Sequence, residues 1–267
     1  MNHLFRELAP VTDRAWHAVD DEATRALQGL LTARKLIKFA GPKGWEHAAE
    51  VTGRIEPAAA IADSVDSAVR CVRPLVELRV PFVVSIAELQ AIDRGSSSPD
   101  LDPVIDAARS IANAEDKAAF YGYEPGSIEG IASGSPHDPI SISDNYAQYP
   151  QTVAKATVEL REHGVDGPYA IALGPQCYRG VIETTEMGGY PVLEHLRLIL
   201  GGPVVYAPAV DGAVVLSQRG GDFELTTGQD LAIGYRSHTA EAVQFYLEET
   251  MTFANDGPEA GVALVYP

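Results

Sequence analysis

Residues 214–253, VVLSQRGGDFELTTGQDLAIGYRSHTAEAVQFYLEETMTF, carry the densest strand and turn signals in the chain. Val243, Phe245, Leu247, Met251 and Phe253 fall on odd positions. Gln244, Tyr246, Glu248, Thr250 and Thr252 alternate with them, the period of a half-buried strand whose apolar face Glu249 interrupts. Upstream, Arg219-Gly220-Gly221-Asp222 is a tight turn between residues 214–217 and Phe223-Glu224-Leu225. Thr227-Gly228-Gln229-Asp230 is a second turn, leading into Leu231-Ala232-Ile233-Gly234-Tyr235. Together these segments predict a meander of strands near the C-terminus.

The wording RGGDFxLxxGQDLxIGY, followed by a strand ending ETxTF, resembles the encapsulins, also called linocin-type bacteriocin proteins. Further segments agree in order: LFRELAPVTDRAW at the N-terminus, GRIEP, PLVELRVPF, AEDKAAFYGYEPGSIEGI, GVDGPYAIALGP and GGYPVLEHL. The resemblance covers essentially the whole chain. It implies an α+β fold like that of tailed-phage major capsid proteins, and self-assembly into an icosahedral compartment around a cargo enzyme. On the same resemblance, residues 1–48, 83–133 and 219–267 make a discontinuous P-domain, residues 49–82 an E-loop, and residues 134–218 an A-domain.

Composition bounds the partners. The 267 residues are 46% hydrophobic and 21% charged, ordinary for a globular chain able to bury a core. A net charge of -17 without a basic run argues against nucleic acid, whose binding depends on clustered Lys and Arg. Arg6 and Glu7 interrupt the N-terminus, and no uncharged apolar run is long enough to span a bilayer, so the expectation is a cytoplasmic protein with no membrane partner. Cys71 and Cys177 read as two unpaired thiols.

Thr12 can cap a helix in which Trp16, Val19, Ala23, Leu27 and Leu30 recur at helical spacing. Its residues alone describe a helix packed on a core; the resemblance makes it the inward-facing helix that receives cargo. Residues 51–82 read as two extended arms around an Ala-rich, acid-spotted middle, a ribbon too marginal to stand alone in water. Asp100 or Asp102 can cap the longest predicted helix, with Pro103 in its first turn and Leu101, Val104, Ile105, Ala108, Ile111 and Ala112 on one face. Residues 134–217 read as an α/β insert. Val153, Ala156, Thr157 and Leu160 mark a helix ending at Gly164, Tyr169 to Leu173 a strand, and Pro175 and Pro191 two helix starts.

The seven histidines lack paired i,i+4 spacing, so no metal site is visible. No G-x-S-x-G nucleophile context occurs, and Glu248 and Glu249 read as sheet-surface or interface groups rather than an acid and base. No residue is assigned a catalytic role. The other functional assignments come from the resemblance. It implies a cargo peptide, the C-terminal tail of the cargo protein, held between the first helix and the 231–235 strand by Val19, Ala23, Leu27, Arg34, Leu231, Ile233 and Tyr235. Lys38 stands where the family often has an acidic residue. It also implies a fivefold pore lined by Glu183, Thr184, Thr185, Glu186, Met187, Gly188, Gly189 and Tyr190. Some similar shells stack a flavin on an aromatic residue just before the segment that here reads ELQAIDRG; Ala87 occupies that place, so no cofactor is carried over. The implied assembly has about sixty copies in its smallest closed form. Its implied cargo is a dye-decolorising peroxidase or a ferritin-like iron-storage protein, tying the shell to oxidative stress or iron storage. A tailed-phage capsid protein and a stand-alone hydrolase or bacteriocin are the alternative readings.

Overall fold

The computed structural model describes residues 2–186 and 188–267. Helix α1 (Asp13–Leu30) begins where the Thr12 hydroxyl accepts the Ala15 N–H at 3.2 Å, and it buries Trp16, Val19, Ala23 and Leu27 along one stripe. A single turn, α2 (Ala33–Leu36), and a short strand, β1 (Lys38–Ala40), follow. Strands β2 (Ala49–Ala58) and β3 (Ser67–Pro74) form an antiparallel two-stranded ribbon, and β4 (Val76–Ser85) carries the chain back into the main sheet. The Ser85 hydroxyl caps α3 (Ile86–Asp93) by accepting the Glu88 N–H.

Helix α4 (Asp102–Tyr121) is the long helix the spacing predicted, with its capping detail altered. Leu101, not an aspartate, is its N-cap, while the Asp100 carboxylate accepts the Asp102 N–H one step earlier. The helix stops at Gly122, whose φ of 86° is costly for a residue with a Cβ.

The insert supplies β5 (Ile140–Ser141), α5 (Tyr149–Glu162), β6 (Tyr169–Leu173), α6 (Pro175–Glu183), α7 (Val192–Leu200), β7 (Val204–Tyr206) and β8 (Ala213–Ser217). The last strands are β9 (Phe223–Thr227), β10 (Ala232–His238), β11 (Ala242–Asn255) and β12 (Gly261–Val265). The predicted meander does not form as a single sheet. Strand β11 is the hub of the first sheet, pairing with β4 along residues 242–251, with β10 along 243–248 and with β9 along 251–255. Strand β8 joins the second sheet, ordered β5-β12-β8-β6-β7. The RGGD turn therefore hands the chain from one sheet to the other. Gly220 and Gly221 both take positive φ there, and Arg219 forks onto the Asp222 carboxylate.

Strand β12 pairs with β8 and β5, so residues 261–265 belong with the insert's sheet and not with the segment in which the sequence reading placed them. The half-buried pattern expected of β11 is also too simple, because most of the strand is buried on both faces. One core unites α1, α3 and α4 with β4, β10 and β11; the other gathers the insert's helices and sheet together with Phe223, Leu225, Met251 and Phe253.

Candidate functional site

Between the two cores lies a buried charged cluster. Arg34, from α2, directs its guanidinium at three carboxylates from three other parts of the chain. Its Nη2 lies 2.6 Å from Glu115 Oε2 on α4 and 2.8 Å from Glu249 Oε1 on β11, and its Nη1 lies 2.8 Å from Asp230. The same group stacks over Phe39. Glu115 and Glu249 are fully buried, and burial together with the neighbouring Glu115 charge holds the Glu249 carboxyl well above the usual carboxylate range. Next to it, Asp116 accepts the backbone N–H groups of Thr32 and Ala33, opening α2; burial raises its pKa to about 6 against that stabilisation.

Glu248 and Glu249 are thus not sheet-surface groups. Glu248 is equally buried, paired with Arg79 at 2.6 Å, with His3 Nε2 2.9 Å from its other oxygen but off the hydrogen-bond line. A bulge-free run of β11 puts these two consecutive carboxylates on opposite faces, and each face has its own cover: α2 and α4 on one, the N-terminal segment and Arg79 on the other.

The residues expected to hold a cargo peptide separate into two groups. Val19, Ala23, Leu27 and Ile233 are core residues, buried where α1 packs on α4, β10 and β11. Their side chains are covered by this packing, and the same apolar periodicity that marks a docking face also marks the face a helix buries. Leu231 and Tyr235 keep accessible surface at the edge of that core, while Arg34 is committed to its carboxylates. Tyr235 also borders a cavity of about 600 Å³ with His3, Phe5, Trp45, Arg79 and Tyr246, in which His3 and Trp45 stack 3.8 Å apart. Lys38 is exposed and pairs with Glu224 across β1 and β9.

The loop expected to line a pore is closed at its base. Glu183 ends α6, Thr184 accepts the Val192 N–H, Thr185 bridges Pro191, and the Glu186 N–H donates to the Tyr190 carbonyl. Gly188 and Gly189 have positive φ, as a tight reversal requires. Glu186 sits 3.0 Å from His195 on α7, and Tyr190 is exposed. Met187 lies outside the described residues. Ala87 presents only a methyl group on the exposed side of α3. Cys71 and Cys177 are both free thiols.

Two further features stand out, the ribbon that the sequence led one to expect and a cluster of ligands that it did not. The β2–β3 ribbon points Val51 (82% exposed), Ile55 (66%) and Val69 (61%) into solvent, although β-branched residues of this kind are ordinarily covered. Three potential metal ligands, His137, Glu159 and His163, also meet within 4.8 Å. A search for histidine pairs passes over them. The legible signal was Glu159 and His163 at i,i+4 across the C-terminal end of α5, and His137 arrives only through the fold.

The family described as encapsulating protein for peroxidase matches residues 1–252. The type 1 encapsulin shell protein of Rhodospirillum rubrum is 48% identical over 270 residues, covering 99% of this chain and 96% of that protein. The shell protein of the same description from Mycobacterium tuberculosis is 43% identical and covers 99% of each. Among solved structures, a virus-like particle from Pyrococcus furiosus superposes with a TM-score of 0.65 at 18% identity, covering 94% of this chain and 97% of that one. The structure titled Mycobacterium phage Bobi superposes with a TM-score of 0.57 at 13% identity, over 90% and 91% of the two chains. Helices and sheets arranged as in these particles give the chain the α+β capsid-like fold that the sequence predicted.

Proposed function

This chain belongs to the encapsulin shell-protein family, and we propose from that premise that it closes into an icosahedral compartment of about sixty copies. The observation that carries the reading is the ribbon. A two-stranded sheet is marginal in water, yet this one holds Val51 directly across from Val72, with Ile55 and Val69 also exposed. Burying the exposed parts of four such side chains is worth roughly 1 to 2 kcal/mol each, and a neighbouring copy laid under the ribbon supplies that burial. Repeated around a closed shell, the contact stabilises every ribbon at once.

Inside the shell, the reading places a cargo enzyme, a peroxidase or an iron-storage protein, tethered by a C-terminal tail. Leu231 and Tyr235 are the members of the implied docking set that keep accessible surface without being committed to an ion pair, so the tail docks along that edge. One tail gains little after its ordering cost, and several tails on an oligomeric cargo make up the difference. Residues 183–190 form the passage for small solutes at the shell's vertices. Turnover belongs to the cargo and not to the shell.

Light scattering and electron microscopy of the chain expressed alone test the assembly. Closed particles of megadalton mass are expected. The variant Val51→Asp/Ile55→Asp/Val69→Asp should keep the circular dichroism of a folded chain yet fail to close, since its changes lie on the exposed ribbon. Intact particles from that variant would refute the role given to the ribbon. The reading as a phage capsid rests on the fold alone, whereas the likeness in sequence lies with shell proteins.

A further inference from the structure

We propose that His137, Glu159 and His163 form a binding site for one zinc-class divalent ion per chain. The three side chains come from the loop before β5, from the last turn of α5 and from its C-cap, and they bring their ligand atoms within 4.8 Å of one another. His137 Nδ1 lies 3.3 Å from Glu159 Oε1, and His163 Nδ1 lies 3.4 Å from the same oxygen. In a tetrahedral zinc site, with bonds of about 2.0 to 2.2 Å, neighbouring ligand atoms are separated by about 3.3 to 3.6 Å. The His137 separation fits an edge of that tetrahedron, and the His163 separation does so when His163 ligates through Nδ1.

The surroundings of His137 prepare it for this role. Its imidazole is almost wholly buried, and Nε2 lies 2.8 Å from the backbone carbonyl of Glu259. A carbonyl only accepts, so the ring proton sits on Nε2 and the Nδ1 lone pair is left facing the carboxylate. A ligating histidine is typically oriented in this way, by a carbonyl on its far nitrogen. His163 is half exposed, with Nδ1 2.9 Å from the Glu159 carbonyl. It can keep that bond and offer Nε2, or give it up and offer Nδ1. Glu159 also borders an open groove with Ile140 and Val158, which gives an ion a route in from solvent.

Two imidazoles and one carboxylate suit zinc, cobalt(II) or nickel(II), whereas magnesium and calcium favour all-oxygen sets. Three protein ligands leave a fourth position for water. A bound ion would tie α5 to the segment containing Glu259, just before β12, and so fasten the last strand into the second sheet.

The test uses untagged particles stripped with a chelator and then freed of it. Zinc is added, excess is removed by gel filtration, and retained metal is counted per chain; cobalt(II) is titrated separately while its visible ligand-field bands are followed. One ion per chain and tetrahedral cobalt bands are expected. His163→Ala and Glu159→Gln, both on accessible side chains, should weaken binding beyond the roughly 10- to 100-fold that loss of an outer-shell partner costs, while His195→Ala at the separate Glu186 pair should leave it unchanged. Retention well below one ion per chain in the wild type, or uptake unaffected by His163→Ala and Glu159→Gln, would overturn the assignment. The result is independent of whether particles close, because metal can be counted on unassembled chains as well.

Discussion

Replacing Arg34 with methionine removes the one cation that, among the described residues, faces both Glu115 and Glu249, while keeping most of the side chain's volume. At a charge separation of about 4 Å and an effective dielectric near 20, each of the close pairs is worth about 4 kcal/mol, offset by the cost of desolvating the guanidinium. Losing one partner of a buried network leaves the others uncompensated, and about 3 to 5 kcal/mol of destabilisation is expected. The defect should depend on pH in a definite direction. The Glu249 carboxyl is already raised, by burial first and then by Glu115, and Arg34 is the group that opposes this. Without Arg34 it rises further. A carboxyl raised on folding binds more protons in the folded state, so stability grows as pH falls from the folded value toward the unfolded one, and the penalty is complete above the folded value. The Arg34→Met defect should therefore grow as pH rises from the wild-type toward the variant folded value of Glu249. Denaturant unfolding at matched protein concentration measures the defect at each pH, and Arg34→Met/Glu249→Gln should recover part of the loss by removing one of the stranded charges. A defect under about 1 kcal/mol, or one that does not change with pH, would show that this cluster does not hold the two cores together.

Asp116→Asn tests the neighbouring carboxyl. With the folded pKa raised from 3.8 to about 6, the wild type should lose roughly 3 kcal/mol relative to the variant as pH rises across that interval, and nothing more above it; pH-dependent unfolding of the two proteins checks this. Gly234→Ala places a methyl group against the Tyr246 ring on the paired strand, and a loss of about 1 to 3 kcal/mol is expected from the overpacking, read as a lowered melting temperature. Co-expression with the native cargo should give closed but depleted particles for Leu231→Asp, whose side chain retains accessible surface. The corresponding Ile233→Asp would instead lower the yield of folded protein, because it buries an unpaired charge; cargo-to-shell ratios and soluble yields separate the two outcomes.

The local signals in the sequence were sufficient for most elements. Thr12 before a stripe at 16, 19, 23 and 27 specifies α1, since a cap and a helical period are properties of neighbouring residues. Gly164, Pro175 and Pro191 likewise mark their helix ends because their backbone constraints act on the spot. The family wording spread along the chain carried the fold class and the shell role, which the likeness to known shell proteins supports. Which strands pair was beyond local reading: β8 and β9 are separated by one turn yet lie in different sheets, and β12 returns to the insert, because partner choice is settled by burial over long separations. The same physics decided the sites. Apolar spacing shows that Val19, Ala23 and Leu27 share a face, but only packing against α4 shows that the face is already covered. Glu248 and Glu249 look like surface groups until Arg79 and Arg34 arrive from residues far away in the chain. His137 comes to Glu159 and His163 in the same way, since charges and ligands are brought together by the tertiary structure and periodicity records only the nearest turn.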